Sequence, residues 1–228
     1  MSAKILVVAA HPDDEVLGCG ASIARRRAQG DTVWILILGE GITSRRGLSR
    51  TEKSRLLKKL GADSRRAAEI LGASRHILKS FPDNGFDSIP RLSLIHAVEE
   101  VVAEFKPSTV YTHSPADLNV DHQLTCEAVK TACRPLPGAP VREILAFEIP
   151  SSTEWRFDAG RAFHPDVFTE VSGQLDLKVR ALRAYAGETR DFPHPRSEEY
   201  IRALAKVRGG QAGLRAAEAF SLIRRVEA

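Results

Sequence analysis

Five short apolar runs alternate with longer amphipathic stretches through the first two thirds of this chain. The runs are "KILVVAA" (4–10), "TVWILIL" (32–38), "HILKSF" (76–81), "STVYTH" (108–113) and "EILAFEI" (143–149). Between them lie helical patterns over 15–29, 50–71, 88–105 and 121–133, the second expected to break or be capped near Gly61. A strand whose residues are nearly all apolar is buried on both faces, and a helix between successive strands lets them run parallel. The order therefore predicts an α/β fold: a Rossmann-like, mostly parallel sheet with helices on both faces. A strand near 166–170, helices near 174–186 and 197–208 and a closing strand over 219–226 complete it, with no linker between. The expectation is a single domain over 1–228, with 150–228 forming a substrate wall.

Composition narrows the class. At 228 residues and 43% hydrophobic the chain can bury a sizeable core. No apolar run is long enough to cross a membrane, and the apolar start is too short for a signal-peptide core. Three cysteines without a C-x-x-C pair suit a reducing compartment, so a cytoplasmic location is expected. Net charge is only +4, but residues 45–66 hold nine basic and two acidic side chains, a local excess of seven. This is either a solvated helix face or a patch for phosphate. No aromatics interleave with it, which argues against a nucleic-acid platform. "GCGAS" (18–22) lacks the G-x-G-x-x-G spacing of a dinucleotide site.

The first strand runs straight into "HPDDE" (11–15), and the fourth ends at His113 before "SPADLNVDH". In open parallel sheets ligands sit beyond the carboxyl ends of the strands, which places a site here. His11 and Asp14 form an imidazole–carboxylate pair of the kind that binds zinc, and His122 is the best third ligand. Asp13, unable to point the same way as Asp14, is free to face a water as general base. Asp121 is either an orienting group or a helix cap, and Glu15 either caps a helix or holds a ligand.

"AAHPDDEVLGCG" (9–20) resembles the signature of the PIG-L/LmbE-like deacetylases, zinc-dependent hydrolases that remove the acetyl group from an N-acetylated amino sugar. "LGEG" (38–41), "FPDNGF" (81–86) and "HSPADLNVDHQLTCEA" (113–128) match at the expected places. The resemblance covers most of the chain and is weakest from 150 on. It implies His11, Asp14 and His122 as ligands of one Zn2+ per chain, and Asp13 as base. Iron or cobalt also suits such ligands. Many relatives carry a histidine three residues before the last ligand, where this chain has Asn119. Its amide can donate to an oxyanion but cannot be a general acid, which leaves His113 and His194 as candidates for that role.

Glu40, Arg45, Asp83, Asn84 and Asp117 are polar groups suited to sugar hydroxyls. Arg45 and Asp83 fall where the family implies sugar contacts, although Asp83-Asn84-Gly85 is also a turn signal by itself. Trp155 reads first as a core residue and second as a platform for a sugar ring. The expected activity is metal-dependent N-deacetylation of an amino sugar, free, nucleotide-linked or conjugated. The alternatives are an amidase on a non-sugar acyl amide and a non-catalytic module for a phosphorylated ligand. The expected partner is the small-molecule substrate, with no nucleic acid and no membrane insertion; a homo-oligomer stays open.

Overall fold

The computed structural model describes residues 2–158, 160 and 162–227. Strands β1 (Lys4–Ala9), β2 (Thr32–Gly39), β3 (Arg75–Phe81), β4 (Thr109–His113), β5 (Glu143–Phe147), β6 (Val167–Glu170) and β7 (Ala217–Arg225) form one sheet in the order β3-β2-β1-β4-β5-β7-β6. The first five are parallel; β7 runs antiparallel to both β5 and β6. The predicted mostly parallel sheet is therefore present. Helices α1 (Asp14–Ala28), α2 (Arg50–Leu71), α3 (Arg91–Phe105), α4 (Val120–Ala132), α5 (Leu175–Ala184) and α6 (Glu198–Gln211) cover it. Among the described residues no helix is long and apolar enough to cross a membrane.

Alternation along the strands divides the core in two. Ile5, Val7 and Ala9 pack with Val33, Ile35 and Ile37 on the face covered by α1, α2 and α5. Leu6, Val8 and Ala10 pack with Leu36, Leu38 and Val110 on the face covered by α3 and α4. Each fully buried valine, leucine or isoleucine contributes about 1.5–3 kcal/mol, so β1 is secured from both sides. Two elements differ from expectation. Helix α2 runs through Gly61 without a break, since one interior glycine costs a helix only about 1 kcal/mol against alanine. Helix α3 starts at Arg91, with Phe86–Ser88 a separate 3-10 turn and Pro90 fixing the entry.

Helix α1 is two half-helices joined at Cys19, whose φ of −145° and ψ of 22° leave the helical range. A buried ion pair serves both loose ends. Lys178 Nζ donates to Leu17 O at 2.8 Å and to Glu218 Oε1 at 2.6 Å. The Glu218 carboxylate accepts from Ala21 N at 3.0 Å and Ser22 N at 2.6 Å. Gly18 faces Phe147 so closely that a Cβ there would lie 2.3 Å from the ring. The start of α1 is thereby pressed onto β5.

Chain direction then sets the site. From β1 the connection leads to β2 on one side, whereas β4 lies on the other, so the strand order reverses between β1 and β4. Crevices form at such switch points. The residues after β1 and those after β4 meet there.

Candidate active site

The turn after β1 separates two neighbouring carboxylates. Asp13 has φ 101°, a left-handed conformation that costs a non-glycine residue energy and is retained where the surroundings impose it. Its amide reaches Glu15 Oε2 at 3.2 Å, and Tyr185 Oη donates to Glu15 Oε1 at 2.6 Å. Glu15 thus braces the turn, a role different from the helix cap or ligand support expected for it. Asp14 folds back, and its Oδ2 accepts from the His11 amide at 2.8 Å.

Around Asp14 Oδ2 lie His11 Nδ1 at 3.4 Å and His122 Nε2 at 3.3 Å. One donor atom from each of His11, Asp14 and His122 falls within 4.8 Å of the others. The far nitrogen of each ring meets a carboxylate. His11 Nε2 lies 2.9 Å from Asp121 Oδ2, whose other oxygen accepts from Phe86 N at 2.9 Å. His122 Nδ1 lies 3.0 Å from Asp117 Oδ1, which raises the pKa of the imidazole by contact and by charge. Carboxylates behind imidazoles fix which nitrogen faces a metal.

Charge balance agrees with that donor set. Burial pushes the Asp14 carboxyl up, but the imidazoles of His122 and His113 and its hydrogen bonds hold it well below the usual range. Burial opposes a proton on His11 and His122, yet the flanking carboxylates raise them to about 10 and about 9. The cluster demands positive charge, and two imidazoles with one carboxylate fit a divalent transition ion.

Asp13 stands apart from the cluster. It is buried, and Arg196 Nη1 lies 2.8 Å from its Oδ2. Burial raises its carboxyl to about 7, with Arg196 pulling down and Asp14 and Glu188 pushing up. Arg196 is anchored by Ser151 Oγ at 2.9 Å, and Glu188 lies 3.7 Å away. Glu188 Oε1 in turn takes Arg45 Nη2 at 2.5 Å. Arg196 and Glu188 lie in the region read only in general as substrate wall, where the sequence singles out His194 and nothing local marks either residue.

Asn119 caps α4, its side-chain oxygen accepting from Asp121 N at 2.8 Å. The cap of α4 therefore belongs to Asn119 and not to Asp121, whose carboxylate meets His11 instead. Asn119 Nδ2 donates to Asn84 Oδ1 at 3.1 Å. Asp83 accepts from Ser44 Oγ, and its Oδ1 lies 3.5 Å from His11 Nε2. Arg45, Asp83, Asn84 and Asn119 line one cleft of about 240 Å³ together with His11, Asp13, Asp14, His122 and Arg196. A larger groove of about 510 Å³ beside α5 shares none of these residues.

Four expectations are corrected. Asp117 does not face sugar hydroxyls: it is buried, taking Ser152 Oγ, Thr153 Oγ1 at 2.5 Å and Asn119 N at 2.8 Å. His113 is no acid: its Nε2 accepts from Ala10 N at 2.8 Å, and burial beside His122 lowers its pKa to about 3. His194, accepting from Arg196 N at 3.0 Å, is absent from the cleft lining. Trp155 is not a core residue but lies on the surface. Of the basic stretch, Arg45 alone lines the cleft; Arg46, Arg50, Arg65 and Arg66 are exposed.

Fold and site together define an α/β protein with a His–Asp–His cluster at the switch point of its sheet and a buried carboxylate beside it. Residues 6–133 match the PIG-L family, described as GlcNAc-PI de-N-acetylase, and the chain belongs to that family. It is 31% identical over 187 residues to the uncharacterized deacetylase YaiS of Escherichia coli, covering 79% of this chain and 89% of that one. It is 26% identical over 229 residues to the diacetylchitobiose deacetylase of Thermococcus kodakarensis, covering 96% and 83%. The solved N,N'-diacetylchitobiose deacetylase of Pyrococcus horikoshii shares the fold, with a TM-score of 0.79 at 17% identity over 98% of this chain and 84% of the other.

Proposed function

We propose that the chain hydrolyses the amide of an N-acetylated amino sugar, releasing acetate and the free amine. The observation that carries this is the separation of Asp13 from Asp14: one buried carboxylate faces Arg196, the other two imidazoles. His11, Asp14 and His122 would hold one divalent ion, Zn2+ by donor type, with iron or cobalt also suited. Such an ion polarises a carbonyl and lowers the pKa of water.

The chain's own residues carry the proton. Asp13 takes it from the attacking water as the oxygen–carbon bond forms. Arg196 keeps Asp13 aimed and, by its charge, keeps burial from locking the carboxyl in its protonated form. One Asn119 N–H is engaged by Asn84, and the other is available to the oxyanion. Asp13 then returns the proton to the nitrogen as the carbon–nitrogen bond breaks, which needs no second acid. Arg45, Asp83 and Asn84 offer hydrogen bonds to sugar hydroxyls in the same cleft.

All 228 residues work as one deacetylase domain, with 150–228 supplying Ser151, Glu188 and Arg196 to the wall. The relatives whose names carry deacetylase support the reaction. Free, buried Cys19, Cys126 and Cys133 suit a reducing compartment and so support action in the cytoplasm. The test is acetate release by zinc-loaded protein from a panel of N-acetylglucosaminides and simple N-acetyl amines. Release from the sugars is expected. Release from the simple amines alone would favour a non-sugar amidase.

A further inference from the structure

The cleft does not end at the amide pair Asn84–Asn119. A second groove of about 380 Å³ adjoins it, and Asn84, Asn119, Ser151 and Ser152 line both. Its surface differs in kind. Leu118, Val120 and Trp155 line it while remaining 50%, 48% and 41% exposed. Leu118 and Val120 flank the capping Asn119, so the residue that walls the cleft also brings two apolar side chains to its outer rim.

Trp155 sits on a braced turn. Ser152 and Thr153, which open that turn, donate to Asp117, the carboxylate lying against His122. The indole meets His194 edge-on, ring centroids 6.2 Å apart. The aromatic face is thus held at fixed reach from the His–Asp–His cluster, and such preorganisation lowers the entropy lost on binding. The charged residues lining the groove are Asp87 and Asp121, with no lysine or arginine among the described residues there. Asp121 is already engaged by His11 and Phe86 N. A phosphate or carboxylate would meet Asp87 with no counter-charge, whereas an uncharged group with an apolar face finds three apolar partners.

We propose that this groove is a subsite for a neutral, apolar-faced aglycone attached to the N-acetyl sugar in the cleft. The proposal rests on the deacetylase reading above. The experiment compares kcat/KM for methyl N-acetylglucosaminide, benzyl N-acetylglucosaminide and uridine diphosphate N-acetylglucosamine on the zinc-loaded full chain. The benzyl glycoside is expected to exceed both others by about tenfold or more, mainly through KM, since loss of one stacking aromatic costs on that order. Trp155→Ala and, separately, Leu118→Ser are each expected to bring the benzyl-to-methyl ratio down toward one. A wild-type ratio near one, a ratio unchanged by both substitutions, or preference for the nucleotide sugar would overturn the proposal.

A binding readout separates this inference from the reaction itself. Trp34→Phe leaves Trp155 as the sole tryptophan. Saturable change of its fluorescence with benzyl but not methyl N-acetylglucosaminide is expected. That change without turnover of any glycoside would keep the subsite and remove the deacetylase reading. No change would remove the subsite, whatever the turnover.

Discussion

Asp13 Oδ2 and Arg196 Nη1 lie 2.8 Å apart, joining the turn after β1 to a segment 183 residues later. The pair would keep a carboxylate buried beside a second carboxylate usable as the proposed base. Burial alone would hold Asp13 protonated through neutral pH, and the guanidinium opposes that. Arg196→Gln is expected to lower kcat at neutral pH by up to about 100-fold, within the usual worth of general-base catalysis. Metal content should not change, because Arg196 touches no residue of the His–Asp–His cluster. With the cation gone, the acidic limb of the kcat/KM profile should move to higher pH. Loss of rate with an unmoved limb would assign Arg196 to substrate binding instead.

Asn119 has two separable duties. Its oxygen caps α4, and its amide N–H faces the cleft. Asn119→Ser should keep the cap and lose the donor; Asn119→Ala should lose both. Both variants are expected to fall on the order of 100-fold in kcat with metal retained. The alanine variant alone should lose about 1 kcal/mol of stability, read by denaturant unfolding. Activity within a few-fold of wild type in Asn119→Ser would remove Asn119 from the chemistry.

The buried Lys178–Glu218 pair serves the break in α1. Removing one partner leaves the other charge buried and unpaired, which typically costs about 3–5 kcal/mol. Lys178→Met should destabilise the protein by about that amount. A denaturation midpoint equal to wild type would show that Leu17 O and Glu218 find other partners.

His76 gives a pH dependence away from the site. Its Nε2 lies 2.7 Å from Ser64 Oγ, and burial together with the charge of Arg65 lowers its pKa from the ordinary 6.5. The neutral ring is favoured in the fold, so the unfolded chain takes up the proton first. The stability contributed by the neutral ring is complete above about pH 6.5. It is lost as pH falls from there through the lower folded pKa. Urea unfolding between pH 7.5 and 5 should show a smaller acid loss in His76→Gln than in wild type. Parallel curves would contradict the assignment.

Much of this was legible in the sequence because it is local. Apolar runs end at glycine or charge, and His11, Asp13 and Asp14 share one turn, so their separation follows from chain geometry. His122 was reachable through the site expected beyond β4. Arg196 and Glu188 were not, because their meeting with Asp13 depends on how the segment after α5 folds back over the cleft. Asp117 carried no sign that it would turn inward toward His122 rather than outward to a sugar. Trp155 misled for a related reason: an indole in a short loop has no periodicity to say which side is buried.

The central claim is that Asp14 binds the metal while its neighbour Asp13 moves the proton. Elemental analysis and acetate release, measured on the same preparations of Asp13→Asn and Asp14→Ala, test it most directly. Asp14→Ala should lose both metal and turnover. Asp13→Asn should keep one ion per chain while kcat falls on the order of 100- to 10,000-fold. If Asp13→Asn empties the site while Asp14→Ala stays loaded, the two roles are exchanged; if both retain metal and turnover, the cluster is not the catalytic centre.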